Sequence, residues 1–179
     1  VETDRYLQGR HVVITAGATQ EEIDPVRYIT NHSTGKMGYA LAKEARNAGA
    51  MVTLISGKSN LPQPYGVEVI NVISAEDMAN CVVNNFEKAD VVIMSAAVAD
   101  YTPLEKADGD FFITLKRTQD ILLTIGKKKR ENQVVIGFAM ETENLLENAA
   151  KKLQEKNADY IIANSIRESG AGFGVDTNI

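Results

Sequence analysis

Short runs of β-branched and aliphatic residues alternate along this sequence with stretches of helical periodicity, and that alternation limits the accessible folds more than any other feature. His11–Thr15, Met51–Ser56, Asp90–Ala97, Val134–Ala139 and Tyr160–Asn164 read as strands buried on both faces. Val67–Val72 is a weaker strand with partial alternation, and Phe111–Leu115 is ambiguous between an edge strand and an antiparallel one. Between them, Lys36–Asn47 sets Met37, Ala40, Leu41, Ala45 and Ala48 on one helical face, and Gly49 supplies the stop. Ala75–Glu87 places Met78, Val82 and Phe86 at i, i+4 and i+8, with Ser74 as N-cap and Asp77 three residues on. Asp120–Arg130 and Asn144–Asn157 are the next two helices. Parallel strands cannot be joined by a tight turn, so a helix between two strands implies a crossover unit. The expectation is an α/β fold, Rossmann-like and doubly wound, with a mainly parallel sheet and helices on both faces. Ligands of such sheets sit beyond the carboxyl ends of the strands.

With 179 residues, 44% of them hydrophobic, the chain can bury one domain core and is not disordered. Its 19 Lys plus Arg against 24 Asp plus Glu leave a net charge of −5, the wrong sign for a nucleic-acid reader. No apolar run approaches the roughly 20 residues of a membrane span. The polar opening Val1-Glu2-Thr3-Asp4-Arg5 is unlike a secretory leader, and one cysteine, Cys81, excludes an internal disulfide. Both point to a reducing, cytoplasmic setting. Residues 1–9 read as a linker remnant and 10–179 as a single domain. Its last residues, Gly172–Ile179, stop where another strand would begin, so the domain is expected to be incomplete there.

Thr15-Ala16-Gly17-Ala18-Thr19 follows the first strand, and a polar loop through Asp24–Tyr28 leads to Asn31-His32-Ser33-Thr34-Gly35-Lys36-Met37-Gly38. Glycines permit close backbone approach, and a helix N-terminus offers N–H groups and a positive pole to a phosphate. Ser33 or Thr34 can cap the helix or bind a phosphate oxygen. A capped helix with packing glycines is the simpler reading, but so many polar residues exceed what capping requires. Three familiar motifs fail. Met37 follows Gly35-Lys36 where a Walker A loop needs Ser or Thr. A long loop separates the first glycine from the helix, and the second strand ends Ile55-Ser56-Gly57 without the acid of a dinucleotide fingerprint. Tyr39 and Lys43 have the Tyr-x-x-x-Lys spacing of short-chain dehydrogenases, but on the first helix.

Met94-Ser95-Ala96-Ala97-Val98-Ala99-Asp100-Tyr101 offers a small-residue floor for a planar base, and Asp100 can accept from an amine or a ribose hydroxyl. A turn acid is the structural alternative. Phe138, after Gly137, is either core or an aromatic platform. Lys152 and Lys156 share a helix face. Lys127–Arg130 reads as a solvated helix end suited to the dipole. Cys81 and His11 read as structural, and no Cys/His cluster suggests zinc.

Asp24–Gly38, Ala96–Tyr101 and Gly137–Thr142 together closely resemble phosphopantothenate–cysteine ligase, a resemblance running from about Leu7 to Asn178. In bacteria that family is usually the carboxyl-terminal half of a bifunctional coenzyme A biosynthesis protein, fused to a flavin-dependent phosphopantothenoylcysteine decarboxylase. The resemblance implies a ligase domain over 10–179. The carboxylate of 4′-phosphopantothenate attacks the α-phosphate of CTP (ATP in eukaryotic relatives), and L-cysteine then captures the acyl-cytidylate as CMP leaves. Mg²⁺ is implied, with ligands unassigned, and so is a homodimer. Neither nucleic acid nor membrane is implied as a partner.

By position, Asn31 matches the asparagine that contacts the acyl intermediate, with Gly17, His32, Ser33, Gly35 and Lys36 in the phosphate and substrate loop. Met94, Ser95 and Ala96 match backbone positions around the nucleotide, Asp100 its base- or sugar-reading acid, and Phe138 its aromatic. Lys152 and Lys156 match lysines reaching the triphosphate. Thr118, Gln119, Asp120 and Ile121, after Arg117, stand where many relatives show Asn-Pro-Asp-Ile after Lys. Relatives also carry a Lys-x-Lys-Lys segment after the Ala-Asp-Tyr motif, whereas here Glu105-Lys106-Ala107-Asp108-Gly109-Asp110 runs directly on and Lys106 alone does not match it. That departure leaves open a non-catalytic nucleotide-binding subunit. The Tyr39/Lys43 spacing leaves open, more distantly, a dehydrogenase-like oxidoreductase.

Overall fold

Strand-forming runs and amphipathic stretches become ten strands and four helices in a computed structural model, which describes residues 5–105, 113–141 and 143–165. The first half contains β1 (His11–Ala16), β2 (Gln20–Glu22), β3 (Tyr28–Thr30), α1 (Lys36–Asn47), β4 (Met51–Ser56), β5 (Glu68–Asn71) and α2 (Ala75–Phe86). The second contains β6 (Val91–Met94), β7 (Tyr101–Pro103), β8 (Leu115–Arg117), α3 (Ile121–Lys128), β9 (Val134–Glu141), α4 (Leu145–Lys156) and β10 (Tyr160–Ser165).

Six strands form a parallel sheet in the order β10-β9-β6-β1-β4-β5. The chain winds outward from β1 through β4 to β5, returns beside β1 with β6, and winds outward again. The loops after β1 and β6 therefore diverge and open a crevice at the sheet's carboxyl edge. Alternation along β1 sends Val12, Ile14 and Ala16 to one side, where they meet Tyr39, Ala42 and Ala45 of α1. Val13 points the other way, with Ile55, Val92 and Val135, against Met78, Val82 and Phe86 of α2 and Ile121, Leu122 and Ile125 of α3. The doubly wound expectation holds, with helices on both faces.

Several boundaries and faces differ from the sequence reading. The buried face of α1 is Gly38, Tyr39, Ala42 and Ala45, while Ala40 is exposed. Tyr39 turns inward because its hydroxyl finds Ser56 Oγ at 3.1 Å, so an aromatic with a satisfied polar tip displaces smaller residues from the core. Tyr39 is thus a packed structural residue, which removes the observation behind the oxidoreductase reading. The polar loop after β1 folds as an antiparallel hairpin, Gln20↔Thr30 to Glu22↔Tyr28. Its turn is built by Asp24, whose carboxylate accepts from the backbone N–H groups of Val26 (2.8 Å) and Arg27 (2.7 Å). The Arg27 side chain and the Val26 N–H hold the Asp24 carboxyl below its ordinary range. Leu115 falls in β8, paired antiparallel with β7, whereas Phe111 and Phe112 lie outside the described residues, as do Lys106 and Gly172–Ile179. Cys81 is half-buried against the core, and burial pushes its thiol up, away from thiolate character.

Candidate active site

The small-residue floor after β6 is held by buried threonines. Strand β6 stops at Met94 instead of Ala97 because side chains take over the hydrogen bonds a ladder would make. Ser95 Oγ donates to the Thr15 carbonyl at 2.5 Å, and Thr15 Oγ1 accepts from the Ala96 N–H at 3.1 Å. The Ala97 N–H donates to the Gly17 carbonyl (2.9 Å), and Thr19 Oγ1 accepts from the Ala99 N–H (3.0 Å). Thr15 and Thr19 are fully buried, so every one of these polar atoms needs its partner. Neither stands out in the sequence. The available signal is a hydroxyl directly ending a buried strand, where an unsatisfied polar group is costly.

Asn31 emerges from the hairpin onto this floor, and its Nδ2 donates to the Ala97 carbonyl at 3.0 Å. Gly17 and Gly35 pack backbone to backbone: a Cβ on Gly35 would lie 3.2 Å from the Gly17 nitrogen. Neither Ser33 nor Thr34 caps α1, so of the two roles the sequence left open for them, capping is not taken. The N-cap is Gly35 itself at φ 84°, a left-handed position that suits glycine, and with no side chain it leaves the first N–H groups of the helix without a side-chain cap. Ser33 Oγ instead accepts from the Gly35 N–H at 3.4 Å. Lys36 opens the helix and His32 is exposed beside it. Gly17, Ser33, Gly35 and Lys36 therefore lie close together at a helix start without a side-chain cap.

A second group lies beyond β6 and β9. Thr118 donates through Oγ1 to the Ala99 carbonyl (2.6 Å) and through its N–H to the Asp100 carbonyl (2.9 Å), locking the two loops together. Asp120 is the N-cap of α3: Oδ1 accepts from the Leu123 N–H at 2.8 Å, and Oδ2 meets Lys156 Nζ at 2.7 Å. Lys152 Nζ donates to the Phe138 carbonyl at 2.8 Å. Burial lowers the Lys152 pKa, opposed by the charges of Glu141, Asp120 and Asp100. Desolvation likewise opposes the charge on Asp120, but the Lys156 and Leu123 hydrogen bonds outweigh it and hold that carboxyl low. Gln119 is exposed, with Nε2 donating to Thr124 Oγ1 at 3.1 Å. Ile121 and Met94 turn their side chains into the core, so only their backbone faces the crevice. The Arg117 guanidinium stacks 5.0 Å from the Tyr101 ring centroid, joining β8 to β7.

Residues 7–179 match the family described as the DNA/pantothenate metabolism flavoprotein C-terminal domain. The chain belongs to this family. As a member of it, the chain is 53% identical over 186 residues to the coenzyme A biosynthesis bifunctional protein CoaBC of Bacillus subtilis, covering 99% of this chain and 46% of that protein. The CoaBC of Haemophilus influenzae is 44% identical over 179 residues, 96% of this chain and 44% of its own length. The chain thus spans about half the length of these relatives. The crystal structure of a CoaBC C-terminal domain aligns with a TM-score of 0.84 at 51% identity, covering 89% of this chain and 79% of the other. A DNA/pantothenate metabolism flavoprotein structure from Streptococcus pneumoniae aligns at 0.79 and 27% identity, over 88% of this chain and 83% of that one. Family membership covers Asn31, Asp100, Asp120, Phe138, Lys152 and Lys156 within one matched domain.

Proposed function

We propose that the chain is a phosphopantothenate–cysteine ligase domain that uses CTP. What carries this reading is the 53% identity to CoaBC, supported by the contact that sets Asn31 on the Ala97 carbonyl and by the charges of Asp100 and Asp120 acting on Lys152. A carboxylate does not condense with an amine in water unless it is first activated. The phosphopantothenate carboxylate forms a bond to the α-phosphorus of CTP, and the bond to pyrophosphate breaks. The cysteine amine then adds to the acyl carbon, loses a proton, and CMP leaves.

The residues divide accordingly. The floor from Ser95 to Ala99 supports the base, Phe138 flanks the nucleotide, and Asp100 accepts from it. Lys156, held by Asp120 at 2.7 Å, exchanges that partner for triphosphate oxygens, while Lys152 adds a second positive charge. The open start of α1, with Gly35 and Lys36, takes a phosphate. Among the described residues no group of three or more His, Cys, Asp or Glu side chains could hold a metal. Mg²⁺ keeps water and phosphate ligands and needs only one or two carboxylates, so the site suits an ion carried by the triphosphate beside Asp120. When bound, it would spread the charge of the leaving group. A homodimer and a joined decarboxylase half are the partners of this reading. Among the described residues no helix is long and apolar enough to cross a membrane.

The reading predicts pyrophosphate release from CTP that depends on phosphopantothenate; a purified protein that shows none refutes it. Asp100→Ala should weaken CTP binding about 10- to 100-fold, the worth of a hydrogen bond to a charged group. Calorimetric titration with CTP alone checks this, and an unchanged Kd removes Asp100 from the nucleotide site.

A further inference from the structure

Glu21 is a buried carboxylate, 3% exposed, in the three-residue strand β2. Its Oε1 accepts from the backbone N–H of Ala75, the first residue of α2, at 2.8 Å across 54 positions of sequence. The helix does not depend on it for capping. Ser74 Oγ already accepts from the Asp77 N–H at 3.0 Å, and Asp77 Oδ2 from the Ser74 N–H at 2.9 Å, a complete capping box. A carboxylate withdrawn from water is costly unless hydrogen-bonded, so its benefit must lie in what it joins. It joins the hairpin to the rigid core. The Gln20 N–H donates to the Ile73 carbonyl at 2.8 Å beside it, and Thr30 Oγ1 donates to the Thr19 carbonyl at 2.7 Å across the hairpin. The residue after Thr30 is Asn31, whose Nδ2 rests on Ala97. The positive pole of α2 and its first N–H therefore anchor, through Glu21, the strand pair that delivers Asn31 to the crevice.

We propose that Glu21 is a positioning residue for Asn31, acting through the α2 N-terminus. The proposal rests on the ligase reading and deepens it. Glu21 touches neither the nucleotide floor nor the lysine pair, so its loss should spare pyrophosphate release and slow the step that Asn31 serves. Misplacing a catalytic group by about 1 Å can cost on the order of 10²-fold.

The test measures both half-reactions by rapid quench in the intact protein. Glu21→Ala should slow cysteine capture about tenfold, with pyrophosphate release changed by less than about twofold. Glu21→Gln, which keeps an oxygen for the Ala75 N–H, should recover most of the loss. Ala75→Pro removes the donor from the other side and sets its ring Cδ against Glu21, so it severs the same tie without changing a hairpin residue. Proline suits the first helical position, and Ser74 before it is already extended at φ −89° and ψ 167°. It should reproduce the Glu21→Ala defect, and it keeps the idea testable if Glu21→Ala does not fold. In an Asn31→Asp background neither substitution should slow capture further, since two residues acting through one contact are not additive. Additive losses, equal losses in both half-reactions, or unchanged capture would overturn the proposal. If the unmodified protein releases no pyrophosphate, the ligase reading fails instead. Hydrogen exchange at the amides of Ile29–Asn31 then still reads the tie: faster exchange in Glu21→Ala supports it, and unchanged exchange sinks it.

Discussion

If the chain is the proposed ligase, Asn31→Asp is expected to slow cysteine capture by about 10²–10³-fold while CTP binding and pyrophosphate release persist, so that the acyl-cytidylate accumulates. The carboxamide has two donors and an acceptor. One N–H is committed to the Ala97 carbonyl at 3.0 Å, leaving the second N–H and Oδ1 for the substrate. The acyl oxygen gains negative charge as the amine attacks, and a donor aimed at it stabilises that charge. Aspartate is nearly isosteric, but its carboxylate offers acceptors alone. It would repel both the developing oxyanion and the Ala97 carbonyl. The proposed reading assigns nucleotide binding to Asp100, Lys152 and Lys156, which lie on other elements, so the first half-reaction should be spared. Single-turnover capture at the unmodified rate would show the assignment to be wrong. Loss of pyrophosphate release would place Asn31 in the first half-reaction instead.

Gly126→Ala is expected to have the largest effect on stability. A Cβ built on Gly126, in α3, would stand 1.8 Å from the Lys156 carbonyl oxygen and 3.0 Å from its carbon. These are backbone atoms at the end of α4, so no rotamer change relieves the overlap. They are also tied in place, since Asn157 Nδ2 donates to the Gly126 carbonyl at 2.7 Å from a left-handed C-cap. The two helices must separate, at a cost of about 3 kcal/mol, the upper end of what overpacking usually inflicts. For a domain of this size that corresponds to about 10 °C in Tm, measured by calorimetry. Separation also displaces Lys156, which the ligase reading places on the triphosphate, so CTP affinity should fall in the same variant. An unchanged melting midpoint would mean that the helices do not meet as closely as described.

Much of the site is legible in the sequence, and for a physical reason. Asn31, Gly35, Asp100 and Asp120 stand in loops that follow strands or at helix starts, and a parallel crossover fold places those points along one edge; Lys152 and Lys156 lie inside and at the end of α4, and only packing brings Lys156 to Asp120. The capping box at Ser74 and the helix from Lys36 to Asn47 are local matters of side-chain reach and period, and both form as read. The hairpin is not legible. Its strands are three residues each, too short to show a period, and they are fixed by Glu21 and Gln20 finding partners at Ala75 and Ile73 as well as by the Asp24 turn. Thr15 and Thr19 escape a sequence reading for the same reason, since their acceptors and donors lie some 80 positions away.

Local propensity and hydrophobic period, acting over windows of a dozen residues, determined the six strands of the parallel sheet, the four helices and the doubly wound class, and hence the edge where the candidate site lies. Tertiary structure decided where β6 gives way to loop, which face of α1 is buried, and that Gly35 opens α1 without a side-chain cap. It also decided which carboxylate, Glu21, is withdrawn from water. Each of these turns on whether a polar atom meets a partner brought from far along the chain, because a buried polar group is tolerated only when hydrogen-bonded. Sequence periodicity carries no record of such distant partners.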